Sequence, residues 1–304
     1  MLTLAISSRT LFDLDEAHKI FLTEGLAAYR AYQLAHEDEP LDPGVAFPLV
    51  HKLLNIKHPE SGEDLVEVVL VSRNNGDTGL RIFNSIEHHG LNISRAVFSN
   101  GGSPYDYLPA LGVELFLSAH NSDVIGALKA GYAAAHLMTR KSVKTEDSQV
   151  RIAFDGDAVI FSDESEKVFQ SDGLDAFRKN EHNLQNQPLT PGPFGAFLKK
   201  LHDLQNIFPP GESPIRTALV TARSAPSHKR VILTLRSWGL RIDEALFLGG
   251  RDKSEFLKSF RADIFFEDQL TYVKTASRHT ATGHVPYGIT NNQPIDNTKN
   301  HEKN

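Results

Sequence analysis

The 304-residue chain contains no cysteine. That absence excludes disulfides, thiolate metal sites and cysteine nucleophiles together. No apolar run approaches the about 20 residues needed to span a bilayer, so no membrane partner is expected. Met1–Ile6 is too short for a signal peptide and lacks its charged start; the expected location is the cytoplasm. There is no excess of positive charge either. The formal net charge is −6, which argues against nucleic acid as a partner, while a local basic site for a small phosphate compound stays open. The glycine pairs at 101–102 and 249–250 match neither a Walker loop nor a dinucleotide fingerprint, and the 14 histidines show no zincin pattern. What is left, 40% hydrophobic and 23% charged residues, is ordinary for a globular chain of one large or two medium domains.

The stretch 150–163 carries the strongest signal. An apolar run ends at Asp155, skips Gly156 and reaches Asp157 before turning apolar again. A buried parallel strand delivers carboxylates to the mouth of an α/β sheet in this way. Upstream, the pattern predicts helices over Glu16–Ala35, Val45–Leu54, Leu80–His89 (stopped by Gly90) and Asp123–Leu137. Strands are expected at Leu2–Ile6, Leu65–Val71, Ile93–Phe98 and Val113–Leu117.

The series then repeats. Ala5–Phe21 lies over Ala153–Phe169, and Pro40–Gly44 over Pro188–Gly192, each 148 residues on. Val71, Gly90 and Phe98 fall on Val220, Gly239 and Phe247, each 149 residues on. The period far exceeds a solenoid unit. It implies an internal duplication: a non-catalytic Rossmann-like lobe at 1–138, a linker at 139–149 and a second lobe at 150–288. A polar tail at 289–304 reads as disordered. Under this alignment Asp155 faces Ser7, Asp157 faces Arg9, Lys253 faces Pro104, Glu267 faces Ser118 and Asp268 faces Ala119. The first copy has lost the acids, so chemistry is expected in the second.

Four strand ends in that second copy carry polar groups. They are Asp155 and Asp157; Thr221, Ala222 and Arg223; Gly249 to Lys253; and Glu267 with Asp268. In an open parallel sheet such ends lie along one ligand-binding edge. The set fits Mg²⁺-assisted phosphoryl transfer. Carboxylates hold the ion, one carboxylate can attack phosphorus, a lysine offsets the charge repulsion, and a second acid moves the proton.

The order Asp-x-Asp, Thr, Lys and acidic pair resembles the haloacid-dehalogenase-like phosphohydrolases. Longer strings are similar to the cytosolic 5′-nucleotidase type I family. They occupy 154–166, 219–225, 234–240, 243–250, 264–269 and 284–288, with 6–12 and 36–40 in the first half. The resemblance implies an α/β fold whose second lobe is a phosphatase lobe with a small helical cap at about 173–204. It implies a Mg²⁺-dependent 5′-nucleotidase acting on nucleoside 5′-monophosphates through an aspartyl-phosphate. Asp155 would be the nucleophile. Asp157 would be the general acid/base and a backbone ligand to Mg²⁺. Thr221, Ala222, Arg223 and Lys253 would bind substrate, and Asp268, with Glu267 beside it, would hold the metal. Glu267 departs from the family's usual aspartate, and Asp252 stands close enough in sequence to pair with Lys253 and weaken its grip on phosphate. A nucleotide effector and a homo-oligomer also follow from the resemblance alone.

Blander readings stand beside these. Asp13 and Asp15 form a second Asp-x-Asp, but they fall at a helix start and suit its dipole. Arg223 can hold phosphate or pair with a cap acid. Ser7 and Arg9 read as relics of a degenerate loop, with a second nucleotide site as the alternative. His284 and Tyr287 either join the site or end the core, and Trp238 reads as packing. The rival functions are a nucleotide-binding regulatory protein with little turnover and a sugar-phosphate phosphatase of the same superfamily.

Overall fold

A computed structural model describes residues 1–139 and 147–291. Most of the expected linker, and all but the first three residues of the expected tail, lie outside the described residues. Ten strands form one sheet: β1 (Leu2–Ile6), β2 (Val66–Ser72), β3 (Arg95–Phe98), β4 (Leu115–Ser118), β5 (Ala133–Leu137), β6 (Val150–Phe154), β7 (Ile215–Thr221), β8 (Glu244–Phe247), β9 (Ile264–Glu267) and β10 (Ala281–His284). Their order is β3-β2-β1-β4-β5-β10-β9-β6-β7-β8. Neighbours run parallel except β5 and β10. The central strands β1, β4 and β9 are buried along their whole length. Helices cover both faces of such a sheet, which is why these strands read as continuous apolar runs.

The fold is therefore mixed α/β with a large, mostly parallel sheet. The two halves meet at a seam. There β5 and β10 pair antiparallel, Gly283 opposite Leu137 and His284 opposite His136, so both halves share one sheet. A Cβ on Gly283 would fall 2.8 Å from the Ala135 Cβ and 3.0 Å from Phe266 Cδ1; glycine facing alanine lets the strands close. The predicted helix over Asp123–Leu137 ends earlier for the same reason. Asn121–Lys129 is helical, Gly131 turns the chain at φ +88°, and the alanines that follow form β5. Alanine suits a helix, but small side chains are what this crowded seam accepts.

Two helical hairpins bend at glycines. Asp15–Glu24 and Leu26–Ala35 meet at Gly25 (φ +88°, ψ −176°), where the sequence predicted one continuous helix. Glu164–Asn183 bends at Gly173 (φ +81°, ψ −175°). The cap expected at 173–204 is likewise redrawn. The hairpin is Glu164–Asn183, and the later helix Gly195–Gln205 belongs to the core. Its Phe197, Leu198, Leu201 and Leu204 are buried at helical spacing, and it lies against β1 of the other half. The helix Phe47–Leu54 reciprocates by lying against β6. One apolar cluster consequently runs through both halves, from Leu2 to Val285. Among the described residues no helix is long and apolar enough to cross a membrane.

A buried ion pair ties the halves. Lys52 Nζ lies 2.7 Å from Asp263 Oδ1 and donates to the Gln149 carbonyl at 3.1 Å. The other oxygen, Asp263 Oδ2, accepts the Arg151 N–H at 2.8 Å. Removing one partner of a buried pair strands the other charge. Lys52→Met is expected to destabilise the chain by about 3 kcal/mol or more, read as a shifted midpoint in urea denaturation.

Candidate active site

The site is built on the carboxyl ends of β6, β7, β8 and β9. After β6 the chain makes one tight turn over Gly156–Ile160, with Ala158 held at φ +60°. A non-glycine residue there is rare. It is tolerated where surrounding packing fixes it, and a Cβ on Gly288 would approach Ala158 Cβ to 3.0 Å. The turn separates Asp155 from Asp157, sending their carboxylates to different partners.

Asp155 meets Lys253. The loop after β8 uses positive φ at Gly249 (+60°) and Gly250 (+82°), and their N–H groups donate to the carbonyls of Arg223 and Ala222 at 3.2 and 3.0 Å. That folds the chain back so that Lys253 Nζ sits 2.9 Å from Asp155 Oδ1 and 2.7 Å from Glu267 Oε2. Tyr272 and Phe265 flank the ammonium, their ring centroids 4.8 and 5.5 Å away. Lys253 is only 1% exposed, so it is not a solvated surface lysine. The suspected competitor is elsewhere: Asp252 Oδ1 accepts the Ser254 N–H at 2.8 Å at a helix start.

The longer Glu267 side chain spans two tasks. Its Oε2 reaches Lys253 while its Oε1 accepts the Gln269 N–H at 3.1 Å. Asp268 Oδ2 accepts the Thr290 hydroxyl at 2.7 Å, and its Oδ1 is buried with no partner. Thr290 was assigned by sequence to a disordered tail. Residues Ile289–Asn291 instead form a short 3₁₀ turn, which corrects that expectation at these three positions. His284 joins this corner through Nε2, 3.0 Å from the Asp268 carbonyl.

Asp155, Glu267 and Asp268 bring ligand atoms within 4.8 Å of one another, all buried. One ammonium cannot neutralise three carboxylates. Burial, and then the neighbouring Glu267, push the Asp155 carboxyl up to about 8. Burial, then Glu267 and Asp155, raise Asp268 well above the usual carboxylate range. Burial alone would lower the Lys253 ammonium, but Asp155 and Glu267 outweigh it and raise it. A crowded set of oxygen donors with an orphaned Asp268 Oδ1 fits a hard divalent cation. The carboxylate of Asp157 is not among these donors.

Asp157 is held by Arg223 through two hydrogen bonds, Nε–Oδ2 at 2.8 Å and Nη2–Oδ1 at 2.6 Å. The same guanidinium donates to Glu181 on the hairpin and stacks over Phe177 at 5.4 Å. Of its two sequence readings, the structure realises the pairing with a hairpin acid. Glu181 also accepts from Arg230 at 2.8 Å and from the Ser165 hydroxyl at 2.9 Å. Sequence reasoning missed Glu181, Arg230 and Thr290. Nothing in local spacing marks them, since Glu181 meets partners 42 and 49 residues away. Thr221 is buried at the end of β7, its Oγ1 accepting the Arg223 N–H at 3.2 Å, and Ala222 is exposed beside it. Trp238 packs on Phe161 with centroids 5.6 Å apart. Asp13 Oδ1 accepts the Asp15 N–H at 3.0 Å, as a helix-start pair should.

The raised Asp155 carboxyl has a defined consequence for stability. Between about 4 and its folded value of about 8, the folded chain holds a proton there that the unfolded chain has lost. Stability from this group therefore falls as pH rises through that window. In EDTA, Asp155→Asn is expected to gain on the wild type by more than about 1 kcal/mol between pH 5 and pH 8, measured by urea denaturation at each pH. A constant difference would refute the charge crowding.

Comparison with known proteins identifies the family. The 5′-nucleotidase family model matches residues 1–292. Over 289 residues the chain is 41% identical to human cytosolic 5′-nucleotidase 1B, a match covering 91% of this chain and 47% of that protein. The chain thus spans about half the length of this curated relative. No solved structure matches it significantly. With the family model covering nearly every residue, the chain belongs to the 5′-nucleotidase family.

Proposed function

We propose that the chain is a Mg²⁺-dependent 5′-nucleotidase that hydrolyses nucleoside 5′-monophosphates through a phospho-Asp155 intermediate. The observation that carries this reading is the buried Lys253, in contact with Asp155 and Glu267 at the ends of neighbouring strands. The second half would be a haloacid-dehalogenase-like phosphatase unit, and the first its duplicate. Several features support the duplication. The strand orders 3-2-1-4-5 and 8-7-6-9-10 correspond. Gly25 and Gly173, 148 residues apart, share one backbone conformation. Gly44 and Gly192 each leave no room for a Cβ against backbone atoms of the turn after the first strand of their half.

In the proposed reaction Asp155 attacks phosphorus and the bond to the 5′ oxygen breaks. Asp157 gives that oxygen its proton, so the nucleoside leaves neutral. A water then attacks the phosphoryl group, Asp157 takes its proton, and phosphate leaves Asp155 free. Asp155, Asp268 and Glu267 would hold Mg²⁺, which supplies positive charge against the phosphoryl oxygens. Lys253 offsets the repulsion between the incoming dianion and the carboxylates. Thr221 and the neighbouring N–H groups would seat the phosphoryl oxygens.

Asp155, Thr221, Lys253 and Asp268 are all buried, and the Glu164–Asn183 hairpin contacts Arg223 beside them. Substrate access therefore requires part of this covering to open, and the hairpin would be the segment that moves. The Arg223–Glu181 contact joins that hairpin to the residue holding Asp157. Proton transfer by Asp157 needs its carboxyl freed from Arg223, so hairpin movement and acid–base readiness would be linked.

The test is phosphate release from a panel of nucleoside 5′-monophosphates and sugar phosphates. Release from nucleotides should require Mg²⁺, stop in EDTA and fall by about a thousandfold or more in Asp155→Asn. Release from sugar phosphates alone would retain the chemistry and refute the nucleotidase assignment. Nucleotide binding without release by the folded protein would favour a regulatory binding role.

A further inference from the structure

The first half has its own cleft, apart from the site above. A cavity of about 340 Å³ opens at the carboxyl ends of β1 to β4, large enough for a small ligand. Arg9 follows β1, Arg73 and Asn74 follow β2, Asn100 and Gly101 follow β3, and His120 follows β4. Arg30 approaches from the hairpin that bends at Gly25. Three arginines and no acidic residue line the cavity, the reverse of the second-half site.

The arginines are not equally engaged. Arg73 is fixed by Asp123, with Nε–Oδ2 at 3.0 Å, and by the Gly101 carbonyl at 3.1 Å. Arg9 reaches the exposed Asp15 at 3.3 Å, and Arg30 reaches Asn100 Oδ1 at 3.4 Å. Two donors on lining residues, Arg9 Nε and Asn74 Nδ2, are buried with no hydrogen-bond partner. Buried unmade hydrogen bonds are costly and rare in native folds, so these two donors call for an acceptor. The opposite wall is apolar. Phe21 and Leu26 are 43% and 50% exposed, and Phe21 meets Tyr29 edge-on with centroids 6.1 Å apart.

We propose that this cleft binds a small anion carrying a flat apolar group, the chemistry of a nucleoside phosphate, and holds it without reaction. The guanidinium forks suit phosphate oxygens, and the aromatic wall suits a planar ring. Ser7 and Arg9 occupy the positions after β1 that Asp155 and Asp157 occupy after β6, so the cleft has neither the nucleophile nor the carboxylates for a metal. The cleft serves binding whether or not the second half hydrolyses the same compound.

The test is calorimetric titration of the full chain carrying Asp155→Asn, in EDTA, with AMP, inorganic phosphate and adenosine as probes. AMP should bind more tightly than either fragment. The double variant Arg9→Gln/Arg30→Gln should weaken AMP by about tenfold or more with Tm unchanged. Amide hydrogen exchange places the ligand independently of these substitutions, with AMP protecting 72–75 and 99–101. Protection confined to 221–223 and 249–251, unaltered affinity in the double variant, or no binding of any probe would overturn the proposal. Phosphate binding as tightly as AMP would overturn the role given to the aromatic wall.

Discussion

A single buried ammonium organises the second half. Lys253 lies between Asp155 and Glu267, and Asp268 completes the acidic set. Carboxylates this crowded and this dry repel one another and resist ionisation. Each surrounding feature answers that constraint. The glycine turn after β8 brings Lys253 back over the sheet, Tyr272 and Phe265 offer their ring faces to its charge, and the Thr290 hydroxyl satisfies one oxygen of Asp268. The negative charge left over is what a divalent cation would balance. The arrangement resembles a site held ready for cation and substrate more than one built for stability.

A second charged chain runs outward from the site. Asp157, Arg223, Glu181, Arg230 and Glu164 alternate in sign from the turn after β6 to the hairpin above it. Burial works against the charged Arg223, but Asp157 and Glu181 outweigh it and keep its guanidinium protonated. A buried network of this kind contributes little net stability against an apolar alternative. What it supplies is geometric: it ties the hairpin to Asp157, two residues after Asp155.

The two halves use one framework for opposite electrostatics. Asn100 and Gly101 turn the chain after β3 as Gly249 and Gly250 do after β8, all four at positive φ. Their N–H groups reach back to the loop after the neighbouring strand in the same way. On this shared scaffold the second half gathers carboxylates around a lysine, and the first gathers arginines around a cavity. The sharing extends to stability, because each half sends a helix across to the other and the sheet closes only where Gly283 meets Ala135.

Much of this was legible in the chain itself. Runs such as Leu65–Val71 and the acids ending Asp155, Asp157, Glu267 and Asp268 report burial and strand termini directly, because a strand buried on both faces must be apolar until it reaches solvent or chemistry. The 148-residue recurrence pointed to the corresponding strand orders. Other features depend on what comes close in space. Ala133–Leu137 read as helix because alanine carries no strand signal, and only the seam with β10 makes small residues necessary. Gly195–Gln205 read as cap because its apolar stripe does not say which surface it meets. The partners of Glu181 and the placing of Thr290 over Asp268 have no local signature, since a charge or hydroxyl in sequence does not reveal what it will face. Local pattern therefore determined the strands, the turn glycines and the acids at the strand ends, while packing between distant segments decided the single sheet, the extent of the hairpin and the partners of each charge.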